Sequence, residues 1–240
     1  MSAIFNIKSI VLILFILATS TSYSSVVLVG TRVIYESNKK SVDLKFRSSD
    51  TVPSIINLWV THHEQTPNTN DAPFIITPSI FRIDPNKGQS VKLMFSGENL
   101  PDNKESLFYL HFVQLPASDK TANKLLVSYK STVKLFYRPA NLTYKIDDLV
   151  SYLKIDTSQL NMGVFTVLNE SPFYVTPTKI VISKNSNQLI SVPDEELNMI
   201  HPFSARQFKV KPYKLEKKLT VYIGLINDLG GISTYEITSK

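Results

Sequence analysis

The sequence predicts an all-β protein built as two antiparallel β-sandwiches, and three observations carry that expectation. From Val26 onward, short runs rich in β-branched and aromatic residues alternate with turn residues at the spacing of sandwich strands. No helical periodicity is sustained anywhere in the same region. Midway, Pro139-Ala140-Asn141-Leu142 interrupts the pattern, because proline ends a ladder, and the strand runs then start again.

The elements follow in order. Val26–Val29 and Arg32–Tyr35 come first, then Ser41–Phe46, which alternates with period two. Ser54–Thr61 around Trp59, Phe74–Thr77, Ser90–Phe95, Leu107–Leu115 and a long run from Leu125 to Tyr137 complete the first half. Asp84-Pro85-Asn86-Lys87-Gly88 and Gly97-Glu98-Asn99-Leu100-Pro101-Asp102 separate strands with strong turn chemistry. In the second half the expected strands are Gly163–Leu168, Phe173–Val175, Lys179–Ser183, Gln207–Val210 and Leu219–Ile226.

Ahead of the sandwiches, Lys8 precedes an apolar run from Ile10 to Ala18, followed by small and polar residues through Ser24. That order is a secretory signal, since crossing a bilayer takes about 20 apolar residues. The expected division is a signal peptide over 1–24, a first domain over 25–140 and a second over 141–240. Removing Lys8 takes the formal net charge from +6 to +5, and no integral membrane segment is expected in the exported chain.

Composition excludes whole classes of chemistry. With no cysteine there is no disulfide scaffold, thiol nucleophile or iron–sulfur cluster. Seven glycines leave little for phosphate-cradling loops. His62, His63, His111 and His201 lack metal-ligand spacing and read as strand-end or loop residues. No nucleophile elbow occurs, so an enzyme is not expected, and neither is a metal or cofactor. The basic stretch Lys209–Lys218 has no nucleic-acid-binding signature around it, so nucleic acid is not an expected partner. Asn141-Leu142-Thr143 and Asn169-Glu170-Ser171 match the short glycosylation pattern.

The informative segment is Leu125–Pro139. Its odd positions Leu125, Val127, Tyr129, Val133 and Leu135 share one face; Lys130, Thr132, Lys134 and Phe136 share the other. The run is long against the usual strand of about 5–6 residues. At a sheet edge it offers unpaired backbone and an apolar row to an incoming chain. Lys134 stands among Val133, Leu135 and Phe136, and Arg32 opens an apolar strand. Either cation also reads as a snorkelling or strand-end charge.

Several motifs together resemble the periplasmic pilus (fimbrial) chaperones. They are Thr31-Arg32-Val33-Ile34-Tyr35, Glu105-Ser106-Leu107-Phe108-Tyr109 and Lys134-Leu135-Phe136-Tyr137-Arg138-Pro139 in the first half. Asn169-Glu170-Ser171-Pro172-Phe173-Tyr174-Val175-Thr176 and Ile226-Asn227-Asp228-Leu229-Gly230-Gly231 carry the likeness into the second. The resemblance implies two immunoglobulin-like domains in a boomerang arrangement, acting in the periplasm without ATP. It implies a chaperone that lends an edge strand to pilus subunits and delivers them to an outer-membrane usher.

By the same resemblance, Arg32 and Lys134 anchor the subunit's terminal carboxylate, while Leu125, Val127 and Tyr129 enter its open groove. Glu105, Arg138 and Asp228 correspond to an interdomain charge network, and Thr77-Pro78 to a cis proline. The short linker Pro116–Lys124 is like that of the short-loop branch. The resemblance also allows a self-capping dimer of free chaperone. Many relatives have a second-domain disulfide, which this cysteine-free chain departs from. The alternative is a secreted immunoglobulin-like adhesin or structural binding module, which has no need of Arg32 and Lys134 together.

Overall fold

The computed structural model describes residues 26–65, 70–116, 127–184, 187–214 and 219–238. The expected signal peptide, Leu125 and the linker from Ala117 to Lys124 lie outside the described residues. In chain order the first half carries β1 (Val27–Leu28), β2 (Arg32–Glu36), β3 (Val42–Arg47), β4 (Ser54–Thr61), β5 (Phe74–Thr77), β6 (Ile80–Ile83), β7 (Gly88–Phe95), β8 (Ser106–Pro116) and β9 (Tyr129–Arg138). The second half carries β10 (Leu153–Asp156), β11 (Val164–Asn169), β12 (Pro177–Lys184), β13 (Asn187–Ser191), β14 (Ser204–Lys209), β15 (Thr220–Ile226) and β16 (Ile232–Thr238).

Each half is a pair of sheets closed over its own core. In the first, β1-β3-β7-β5 faces β2-β9-β8-β4-β6. The period-two pattern decides which side chains go in: along β3, Leu44 and Phe46 are buried while Asp43, Lys45 and Arg47 face solvent. Tyr35, Phe74, Phe108 and Leu135 pack in the same core. In the second half, β10-β11-β14 faces β13-β12-β15-β16 around Phe165, Ile182, Phe208 and Ile223. The rings of Phe165 and Phe208 stack at 5.3 Å. This aromatic core holds the second sandwich without a disulfide.

The first-half strands expected from alternation are present, but β9 begins at Tyr129, with Val127 and Ser128 ahead of it outside the strand, and β8 and β9 each end one residue later than expected. Four strands escaped the sequence pattern: β6, β10, β13 and β16. Phe173–Val175 is not a strand; only Val175 pairs, in an isolated bridge with Ile200. The Thr77-Pro78 bond is cis. Asn169 is no glycosylation acceptor, since it is buried and its amide donates to the carbonyls of Phe173 and His201.

The halves meet beside β2. A short 3-10 helix over Ile146–Tyr152 follows the proline-containing hinge. The β15–β16 turn packs on Thr31 through Gly230, whose φ is +83° and where an added Cβ would lie 2.4 Å from Thr31 Oγ1. Only glycine meets both conditions at no cost.

Candidate functional site: a cation pair beside an open strand edge

The ladder between β2 and β9 is parallel and begins with Arg32 opposite Lys134, continuing to Glu36 opposite Arg138. Tyr109 on β8 faces Lys134, and Thr61 on β4 faces Tyr109. Thr61, Tyr109, Lys134 and Arg32 therefore form one row across four strands. Because side chains alternate along each strand, Lys134 shares the outer face with Phe136 and Arg138, whereas Val133 and Leu135 turn to the core.

Arg32 is tied into the cleft between the sandwiches. Its guanidinium lies 5.5 Å from the centre of the Phe136 ring, and Nη1 donates to the carbonyl of Ile226 at 3.3 Å. Its Nε is buried with no hydrogen-bond partner among the described residues. The cleft has a volume of about 350 Å³ and is lined by Arg32, Ile34, Phe136, Arg138, Leu225 and Asp228, among others. Lys134, across the ladder from Arg32, is not part of that lining.

Burial lowers the pKa of both cations. For Arg32, desolvation outweighs the attraction of Asp228 and Glu105. For Lys134, desolvation leads, Glu64 opposes it and the charge of Arg32 adds to it. Two half-buried cations in one row, with an unpaired guanidinium donor, favour an anion placed between them.

The edge beside this pair is open for part of its length. Strand β8 covers β9 from Tyr129 to Tyr137, but β2 pairs only from Lys134 onward. The expectation of one long edge strand is thus corrected: among the described residues β9 is an edge only over Tyr129–Val133, because β2 is five residues long and pairs from Lys134 onward. Val127 and Tyr129 share the parity of Val133 and Leu135, yet they are 49% and 59% exposed. An apolar row that is core at one end is uncovered at the other.

Glu105, Arg138 and Asp228 do meet. Arg138 Nε donates to Glu105 Oε1 at 2.7 Å, while Nη1 and Nη2 form a fork on Asp228 at 2.6 and 2.9 Å. Glu105 Oε2 accepts from the backbone N–H of Tyr174 at 2.8 Å. One guanidinium thereby joins the residue just before β8, the end of β9 and the β15–β16 turn. Burial pushes the Glu105 carboxyl up, against the opposing charge of Arg138 and the Tyr174 N–H. For Arg138, burial alone lowers the pKa, but hydrogen bonds to Asp228 and the Glu105 charge raise it overall.

One polar feature of this face was not legible in the sequence. His111 is not a strand-end or loop residue: it sits inside β8, fully buried, with its ring stacked on Trp59 at 5.3 Å. Its burial comes from Trp59 and Thr132 on neighbouring strands, which sequence spacing does not signal.

An open strand edge, a cation row and an interdomain clamp on two sandwiches define a two-domain immunoglobulin-like chaperone. Residues 25–143 match the N-terminal domain of PapD, of the pili and flagellar-assembly chaperones, and residues 150–237 match the PapD pili assembly chaperone C-terminal domain. The chain belongs to this family of pilus-assembly chaperones. It is 30% identical over 223 residues to the chaperone protein HifB of Haemophilus influenzae, covering 89% of this chain and 88% of that protein. It resembles the crystal structure of the YadV chaperone with a TM-score of 0.73 and 28% identity, over 90% of this chain and all of that one. It shares its fold with the Salmonella enterica SafB chaperone, solved with the SafA pilin, at a TM-score of 0.71 and 21% identity, covering 91% and 98%.

Proposed function

We propose that the exported chain, from residue 25, captures pilus subunits in the periplasm by lending them β9, and delivers them to an outer-membrane usher. One observation carries this reading: Arg32 and Lys134 close the end of the edge that β2 leaves open. A subunit strand laid against Tyr129–Val133 meets the start of β2 at that point. Its last residue reaches the cations only if it runs in the same direction as β9. The subunit strand then occupies the line that β2 continues, and its terminal carboxylate lies against Arg32 and Lys134.

The work is divided between the faces. Leu125, Val127 and Tyr129 fill the subunit's groove, each contributing roughly 1.5–3 kcal/mol on burial. The carboxylate contacts contribute about 1.5–3 kcal/mol each, less the desolvation of the cations. The carboxylate sets the register, since a one-residue slip turns every inserted side chain to the wrong face. Glu105, Arg138 and Asp228 hold the second sandwich so that the cleft keeps its shape. No bond is made or broken, and release follows when a neighbouring subunit supplies a replacement strand. An adhesin with its long strand paired on both sides does not fit a half-open β9.

Co-expression of the exported chain with a candidate pilin tests this. A soluble one-to-one complex is expected, lost in Arg32→Ala and Lys134→Ala while the chaperone stays folded. Full recovery in both variants contradicts the anchor.

A further inference from the structure

Beside the anchor row lies a second row on the same outer face, formed by Trp59, His111 and Thr132 on β4, β8 and β9. His111 is fully buried and joins the two rows. Its Nε2 lies 2.7 Å from Thr61 Oγ1, in the anchor row, and its Nδ1 lies 2.9 Å from Thr132 Oγ1. Thr132 is two residues before Lys134, on the stretch of β9 that has no neighbour on its other side among the described residues.

The hydroxyl partners fix the imidazole proton. Thr61 Oγ1 donates to the carbonyl of His63 at 2.6 Å, so toward His111 it accepts. The Nε2–H of His111 therefore donates to Thr61; in the neutral ring that burial favours, Nδ1 is then bare and accepts from the Thr132 hydroxyl. This is the neutral ring with its proton on Nε2.

We propose that His111, in this tautomer, is a positioning residue for the lent strand, fastening Thr132 on the open edge of β9 to Thr61 in the anchor row. The inference rests on the strand-lending reading above. Without this tie, the stretch between Tyr129 and Lys134 keeps the β8 ladder, the packing of Val133 on the core and Lys130 over the Trp59 ring, but no side-chain link from Thr132 to the anchor row. With it, the inserted row and the carboxylate anchor keep one fixed spacing.

The charged groups facing His111 are Lys130 on β9 and Glu64 and Asp71 beyond β4. Lys130 Nζ sits 5.2 Å from the Trp59 ring that also stacks on His111. Burial first, and then Lys130, hold the imidazole pKa below its usual value, while Glu64 and Asp71 pull the other way. Protonation reverses the donor at Nδ1 and places a charge in the buried row, so acid loosens the tie.

Subunit capture at neutral and acid pH, with the full exported chain and a pilin, tests the proposal. Thr132→Val keeps the shape of an exposed strand residue and removes one hydroxyl; about tenfold weaker capture is expected, with the fold intact. His111→Gln can accept from Thr132 and donate to Thr61, so it is expected to capture within about twofold of the parent, without the parent's loss in acid. Nitrogen NMR of the parent is expected to show Nε2 protonated and Nδ1 bare. Capture intact in Thr132→Val but lost in Lys134→Ala overturns this inference alone. Capture surviving Lys134→Ala overturns strand lending and this inference with it. The opposite tautomer, or an acid response unchanged in His111→Gln, also overturns the role of His111.

Discussion

Arg32 and Lys134 stand opposite each other at the first position of the parallel β2–β9 ladder, at the point where the open edge of β9 ends. Their charges are brought together by folding, and burial lowers the pKa of each. A cation whose folded pKa is lowered is less well solvated folded than unfolded, so it opposes folding at neutral pH, an effect that fades as the pH rises toward its own range. Lys134→Met is therefore expected to leave thermal stability unchanged or raise it, while subunit capture falls at least about tenfold. Thermal unfolding and pull-down of the same preparation check both halves; a fall in stability that matches the loss of capture contradicts it.

The exposed apolar row separates binding from folding in the same way. Tyr129 is 59% exposed, so Tyr129→Ser leaves the free protein's unfolding midpoint in place. Capture is expected to weaken by roughly 1.5–3 kcal/mol, or about ten- to a hundredfold. Calorimetric titration of the purified variant with a pilin, alongside its melting curve, measures the two.

The Arg138 clamp predicts unequal costs for its partners. Glu105 is almost fully buried, whereas the Asp228 side chain is 34% exposed. Arg138→Ala leaves the Glu105 carboxylate buried without its cation and is expected to cost about 3–5 kcal/mol. Asp228→Asn keeps two of the three Arg138 hydrogen bonds, since the amide oxygen still accepts one, and is expected to cost no more than about 1 kcal/mol. Denaturant unfolding ranks them; equal losses contradict the assignment.

Gly230 tests how closely the second sandwich approaches β2. Its φ of +83° and the 2.4 Å from its added Cβ to Thr31 Oγ1 make Gly230→Ala both strained and obstructed. A loss of about 1–3 kcal/mol is expected, together with weaker capture as the Ile226 carbonyl moves from Arg32. Val or Ser at Thr31 leaves that strain in place, so neither rescues Gly230→Ala fully.

Acid adds a dependence with a definite sign. His111 has a folded pKa below its unfolded value, so its neutral form contributes stability that is present above the unfolded pKa and lost as pH falls through the folded one. The melting temperature is expected to drop below the ordinary imidazole range, near ~6.5, and to drop less in His111→Gln. Melting curves across that range check it.

The two-sandwich fold was legible because strands such as β3 and β11 bury every second residue, and alternation is a local property. β6 was not, because it has four residues and Arg82 among them. β16 escaped because it lies at the side of its sheet and is only half covered. At the site, Arg32 and Lys134 stood out as cations in apolar strands, but their pairing depends on a parallel register across distant segments. The half-open edge of β9 depends on the length of β2, and the burial of His111 on Trp59 and Thr132. These are facts of packing, with no periodicity to reveal them.

The most direct test of strand lending with a carboxylate anchor is binding of a peptide copying a pilin's last strand. The same peptide is compared with a free and an amidated C-terminus, and binding is followed by the fluorescence of Trp59, the chain's single tryptophan. The free acid is expected to bind at least about tenfold more tightly than the amide, and that difference is expected to vanish in Lys134→Ala. Equal binding of acid and amide by the unaltered protein contradicts the anchor.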